Sequence, residues 1–298
     1  MHHRSSSFRR AFTAVELLVV VIVIGVLLMI LIIQGSRSRI TTRHPRDSAN
    51  IRGIHQGLVL FAQGNRDRYP LPSELDKADV TIKLGAGVDP TEKDTTSNII
   101  STLIYGTFFG PEICISDAES DGKITLDNGY EYTEPRGAVN PKRALWDPKF
   151  NADFTAVGPA GRPGGHFSYA HMLPSGVRLT QWRLTVDGTQ AVLGNRGPLI
   201  SSVAKGKAPD VTPSFDRRSL TLLIHGSRTE WEGNIAYNDS HVAYESQMAT
   251  MGYLDASGTS WLDTLFFDEP DDVKGVNNFL GNFNAAGPVP AAFKAIWD

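Results

Sequence analysis

The sequence predicts an α+β fold: a long N-terminal helix that begins as an apolar transmembrane span and packs on an antiparallel β-sheet head with a long, loop-rich insertion. Three observations predict it. Residues 17–33 are an apolar run without charge, apolar residues recur at three- and four-residue steps over 51–61, and β-rich runs around short polar turns gather after residue 165.

The first element is the apolar run. From Phe12 to Ile33 it is long enough as a helix, roughly 33 Å at about 1.5 Å per residue, to cross a bilayer. The stretch beyond it, "QGSRSRITTRHPRD", has no small-residue cleavage pattern, so the helix is expected to stay attached. Arginine counts leave its orientation open: Arg4, Arg9 and Arg10 precede it, and Arg37, Arg39, Arg43 and Arg46 follow. Glu16 stands inside the segment, where a lone charge costs about 2.5–3.5 kcal/mol. A plain signal anchor does not account for it.

The residues around Glu16 carry a resemblance. Basic residues, then Ala11, then Phe12-Thr13-Ala14-Val15-Glu16-Leu17-Leu18 and a β-branched apolar run, resemble the signal of type IV prepilins and type II secretion pseudopilins. The resemblance implies cleavage between Ala11 and Phe12 by a prepilin peptidase, methylation of Phe12, and an assembly contact from Glu16 to the N-terminal amine of a neighbouring subunit. Ala11 replaces the usual glycine, and Ala14-Val15 the commoner Leu-Ile.

The second element is the continuation of the helix. Ile51, Ile54, Leu58 and Phe61 form one apolar face, Gly64-Asn65 reads as a stop, and Pro70 and Pro72 forbid extension. A break is expected at His44-Pro45. The segment "SANIRGIHQGLVLFAQGNRDRYPLP" is similar to the pseudopilin helix that ends in a Gly-Asn turn before Tyr-Pro. The division is a leader over 1–11, a transmembrane or filament-core helix over 12–33, its continuation over 34–64, and an extracytoplasmic head over 65–298.

Within the head, residues 71–165 are rich in Gly, Pro and Asp and read as the insertion. Asp187-Gly188 between β-rich runs predicts a hairpin, "SLTLLIHG" another strand, and "GNIAYNDSHVAYES" a second hairpin. The C-terminal "AAFKAIW" predicts a short docking helix. His225, with Asp239-Ser240-His241-Val242 downstream, is similar to the His…Asp-Gly-His-Val ending of large-headed prepilin-like proteins, and "GPEICISDAE" to their Cys-x-Ser-Asp segment; serine here replaces the glycine.

Chemistry is sparsely indicated. The sequence has no nucleophile elbow, phosphate loop, dinucleotide fingerprint or zinc helix, so no enzymatic activity is expected. Cys114 is the only cysteine, which excludes an internal disulfide and multi-cysteine zinc. His166, His171, His225 and His241 could converge on a metal or each bond within the sheet. One loop has the spacing of a calcium site, with Asp117, Glu119 and Asp121 at positions one, three and five, Gly122 at six, the Lys123 carbonyl at seven and Ile124 at eight. Asn128 stands where the bidentate glutamate belongs, with Asp127 one place early. Calcium is therefore an optional cofactor in this reading, and none is required.

Charge limits the partners. The chain carries 29 Lys and Arg against 32 Asp and Glu, a net charge of −3, and the first eleven residues hold three arginines and no acid. The remaining body repels phosphate and shows no basic stripe with aromatics, which argues against nucleic acid. The expected role is a pilin-like subunit of a secretion pseudopilus or pilus-like filament, single-pass in the inner membrane with its head outside. Its expected partners are prepilin peptidase, other pilin or pseudopilin subunits, the inner-membrane assembly platform and the membrane itself. Two alternatives stand beside it: a ligand-binding protein that keeps a pilin-like anchor, and a membrane-anchored enzyme.

Overall fold

Helix α1, residues 44–64, forms where the apolar spacing predicts. Ile51, Ile54 and Leu58 are essentially inaccessible and Phe61 is buried, while Leu60 on the other side is 53% exposed. Each fully buried side chain of this kind contributes about 1.5–3 kcal/mol. The helix stops at residue 64: Asn65 Nδ2 donates to the Phe61 carbonyl at 2.7 Å, and the Asp67 amide to that of Ala62 at 3.0 Å. Arg66 and Asp67 then take left-handed dihedrals, φ 59° and 61°. Two orphaned carbonyls near the helix end are satisfied in this way.

The computed structural model describes residues 21, 23, 24, 44–155, 164–203, 205, 213–269 and 277–298. The chain divides into two compact units, Met1–Arg43 and His44–Asp298. In the first, Val21, Val23 and Ile24 are helical and exposed.

The insertion holds helices α2, Pro72–Leu75, and α3, Thr96–Tyr105. The buried Lys93 ammonium ties the approach to α3, reaching Asp79 Oδ1 at 2.6 Å, the Asp76 carbonyl at 2.6 Å and Asp76 Oδ2 at 3.1 Å. Thr96 Oγ1 accepts from the Phe283 amide at 2.7 Å and lies 2.8 Å from His171 Nε2, which fastens the start of α3 to the sheet.

The strands follow. β1 is Tyr169–Met172, β2 Ala191–Asn195, β3 Ile200–Ser202, β4 Ser214–Phe215 and β5 Gly233–Tyr237. β6 is Val242–Glu245, β7 Ala249–Leu254, β8 Ser260–Thr264, β9 Leu280–Ala285 and β10 Lys294–Ile296. One antiparallel sheet of six has the order β10-β9-β1-β2-β5-β6, and β3-β4 and β7-β8 form two small antiparallel pairs. The core beneath α1 and α3 joins Ile51, Ile54, Leu58 and Leu103 to Tyr169, Val192, Leu193 and Ile235. Gly194 permits the β2–β5 contact, since a Cβ there would lie 2.9 Å from the Asn234 carbonyl oxygen and 2.3 Å from Ile235 Cδ1.

Several expectations are corrected. The body is mostly antiparallel sheet, and among the described residues no helix is long and apolar enough to cross a membrane, which overturns the fold of a long N-terminal transmembrane helix on a sheet. The same finding conflicts with the prepilin and transmembrane reading and with a single-pass inner-membrane location. The long helix that is described, α1, is amphipathic: its apolar stripe alternates with Arg52, Gln56 and other polar residues and is covered by the rest of the body, as a surface helix requires and a membrane span does not. Residues 12–20, 22 and 25–33 of the apolar run lie outside the described residues; His44 and Pro45 are both helical, so the break expected at that pair is not found there.

Local readings fare differently. The β5–β6 hairpin is present, with Ala236 opposite Val242 and a loop over 238–240. The Asp187-Gly188 hairpin is not, for the chain before it makes a 3-10 turn, Gly176–Thr180, and a single bridge from Arg183 to Arg68. "SLTLLIHG" holds the 3-10 turn Leu220–Leu223 in place of a strand. The C-terminal stretch docks as strand β10 after a 3-10 turn, not as an α-helix.

The β5–β6 loop explains the serine that replaces glycine in the family-like motif. Ser240 adopts φ 74°, the left-handed position that closes a three-residue hairpin loop and favours glycine. Ser240→Gly is therefore expected to raise stability by about 0.5–1 kcal/mol, read from the urea midpoint.

Candidate functional site

Asp47 sits one turn before Ile51, on the apolar stripe of α1, and its side chain is fully buried. A carboxylate there requires donors, because an unpaired buried charge costs several kcal/mol. Four side chains supply them. His225 Nε2 donates to Oδ2 at 2.8 Å and Asn234 Nδ2 to the same oxygen at 2.9 Å; Tyr169 OH donates to Oδ1 at 3.2 Å, as does Ser116 Oγ. Burial pushes the Asp47 carboxyl up, but the His225 and Ser116 hydrogen bonds, the His225 charge and the Asn234 bond outweigh it and hold the group below the ordinary carboxylate range.

Each donor is placed by a different element. Tyr169 opens β1, Asn234 lies in β5 with its amide held by Asn195 Oδ1 at 2.7 Å, and Ser116 follows the 3-10 turn Pro111–Cys114. His225 follows the Leu220–Leu223 turn, whose Leu220 and Thr221 amides donate to the Asp298 carboxylate at 2.6 and 3.1 Å. Asn50 and Arg46 also reach the 115–117 segment, at the Ile115 carbonyl and Asp117.

Above this centre His44 stacks on His225, ring centroids 4.3 Å apart and planes at 24°. Tyr244 of β6 meets His44 edge-on at 4.7 Å, and its hydroxyl donates to Glu232 Oε2 at 2.5 Å. An open cleft of 410 Å³ is lined by His44, Pro45, Ser48, Asn234 and Tyr244. Burial and the neighbouring His225 charge lower the His44 pKa below its ordinary value, against the opposing pull of Asp47 and Glu232.

A second buried polar group holds the segment that follows α1. Asn238, just past β5, accepts from Tyr69 OH at 2.7 Å and donates to the Arg183 carbonyl and Gln190 Oε1 at 3.0 and 3.1 Å. Asn234 and Asn238 thus bracket the apolar residues of β5 and engage the two ends of the α1 region.

The residues singled out in the sequence do not form one site. Of the motif-like set, His225 is at Asp47, whereas Asp239 and His241 bond each other at the exposed β5–β6 tip, Oδ1 to Nδ1 2.5 Å, with the His241 ring stacked on Tyr237. His166 contacts the Thr125 carbonyl, and the buried His171 faces Thr96, so the histidines do not converge. Ala11, Phe12 and Glu16 lie outside the described residues.

In the loop with calcium spacing, the candidate ligands have other partners. Asp117 pairs with Arg46 at 3.3 Å, Glu119 Oε1 with the buried Arg196 at 2.8 Å, Asp121 Oδ1 with the Lys123 amide, the Lys123 carbonyl with the Gly165 amide, and Asp127 with the Gly129 amide. Ile124 is buried as an anchor, 5% exposed, and bridges to Gly165. Among the described residues Glu119 Oε2 and Asp121 Oδ2 find no hydrogen-bond partner, but the Arg196 guanidinium already supplies a cation at Glu119. Among the described residues no group of three or more His, Cys, Asp or Glu side chains is arranged to hold a metal.

Comparison with protein-family models, curated proteins and solved structures gave no match.

The Asp47 centre contains an acid, an imidazole and a hydroxyl, yet Ser116 donates to the acid and His225 does the same, so no hydroxyl is handed to the imidazole as nucleophilic catalysis requires. The arrangement anchors the helix. Sequence reasoning missed Asp47, Asn234, Tyr169 and Ser116 as one centre. The available signal was Asp47 itself, an acid four residues before Ile51 on an apolar face.

Asp47→Ala removes the acceptor of four side-chain donors and is expected to cost about 3–5 kcal/mol, measured by urea unfolding. The folded Asp47 carboxyl has the lower pKa, so its contribution is present above the unfolded value near 3.8 and is lost as pH falls through the folded value. Asp47→Asn is expected to remove that acid-side loss, and an unchanged stability profile below about pH 4 would contradict the assignment.

Proposed function

We propose that the chain is a pilin-like structural subunit, cut by a prepilin peptidase between Ala11 and Phe12 and assembled with like subunits through the N-terminal segment that carries Glu16. The observation that carries this reading is the clamp on α1. A helix that follows the Phe12-Thr-x-x-Glu16 pattern is bound to an antiparallel head by a buried carboxylate at one end and by the Tyr69–Asn238 bond just beyond the other.

Such a connection suits a mechanical part. Pull applied along α1 reaches the central strands β1 and β5 directly, through Tyr169 and Asn234, with no flexible loop between. Glu16 acts in this scheme as an assembly contact, its charge compensated by the free amine of a neighbouring Phe12. The chain is the substrate of the peptidase and performs no reaction of its own.

Intact mass and N-terminal sequencing of protein from its native host test the reading. A mature chain beginning at N-methylated Phe12 is expected, and a chain that retains its first eleven residues would overturn the processing step. Glu16→Ala is expected to abolish co-assembly with wild-type subunits in a cross-linking assay; undiminished co-assembly would remove Glu16 as the contact.

A further inference from the structure

The first described turn of α1 is held differently from the rest. Residues from Ile51 onward are fixed by apolar burial, which is indifferent to mild acid, whereas residues 44–48 are fixed by Asp47 and by the His44 ring lying on His225. His44 is also where the second compact unit begins.

Two imidazoles at a centroid distance of 4.3 Å are a particular electrostatic case. One positive charge on the pair is well compensated: His225 Nε2–H already points at the Asp47 carboxylate. A second positive charge, on the half-buried His44, would face the first across the stack at close range, and the inaccessible His225 side chain leaves little solvent between the rings to screen the repulsion. The groups that face the two rings are few. Asp47 lies below on the same helix, Asn234 donates to the same Asp47 oxygen, Tyr244 closes one edge, and Glu232 binds the Tyr244 hydroxyl. Arg46 turns away to Asp117, 3.3 Å distant. Among the described residues only Asp47 and Glu232 oppose the repulsion; Asp47 is already engaged by four donors, and Glu232 is held by Tyr244. The open cleft beside His44 gives water and protons access.

We propose that the His44–His225 stack is a proton-operated latch on the start of α1: a single charge shared by the two rings over Asp47 holds residues 44–48 on the head, and a second proton drives His44 out and releases that turn while the rest of α1 stays docked. The latch does not depend on the assembly role proposed above. Its direction follows from histidine chemistry. Burial and the neighbouring His225 charge hold the His44 pKa below its ordinary value, so the stack is uncrowded at neutral pH and acidification loads the second charge below the ordinary histidine range.

Hydrogen exchange of the full chain, read by mass spectrometry on peptides covering 44–50 and corrected for the intrinsic pH dependence of amide exchange, tests the latch. Between about pH 7.5 and pH 5, protection of this segment in the wild type is expected to fall at least about tenfold further than in His44→Phe, which keeps a stacked ring that takes no proton. Equal falls in the two proteins, or no fall in the wild type, would overturn the proposal. Because the variant keeps every other histidine, acid effects on the whole head cancel in the comparison. Should His44→Phe fail to fold, His44→Leu serves the same comparison with the same two outcomes.

Discussion

The burial of one carboxylate is the constraint on which the head depends. Asp47 occupies a position that the helical period assigns to the core, and a charge in the core is tolerated only when its lone pairs are filled. Filling them draws β1, β5, the Ser116 turn and the His225 turn to a single point. Hydrophobic burial alone would let α1 slide or rotate on the sheet, since apolar contact is non-directional. Four donors on two oxygens admit one register.

How much of this was legible in the sequence depends on the range of the interaction that decided it. The buried face of α1 was readable because residues three and four apart decide it, and the β5–β6 hairpin because its turn is only three residues long. The Asp187-Gly188 turn misled: a two-residue hairpin of the expected type needs positive φ at both positions, and neither residue has it. Asp187 instead accepts from the Thr189 amide in a local turn. At Leu220–Leu223 β-rich composition lost to a contact no local window contains, the Asp298 carboxylate capping two amides. The Asp47 centre was half visible, as an acid in the wrong phase of a helix, but its donors lie 69 to 187 residues further along the chain.

The loop at 117–128 teaches a related point about motifs. Ligand spacing records which oxygens could surround an ion, not what else competes for them. Glu119 meets Arg196, and this guanidinium also lies over the Phe154 ring at 4.5 Å, so a side chain just after β2 delivers the positive charge that the spacing reserves for a metal. The aliphatic anchor, Ile124, keeps its place because anchoring asks only for apolar surroundings.

The distances in sequence between Asp47 and its donors have a consequence for how the chain is made. Asn234 is 187 residues beyond Asp47 and His225 is 178 beyond it. During synthesis the apolar face of α1 emerges long before the strand that covers it, by roughly ten to forty seconds at about 5–20 residues per second. Throughout that interval the core over Ile51, Ile54 and Leu58 is incomplete, and the Asp47 carboxylate has at most Ser116 and Tyr169 of its four donors. Such long-range closure makes for slow folding. A newborn chain of this kind leans on whatever shields its first helix until β5 arrives.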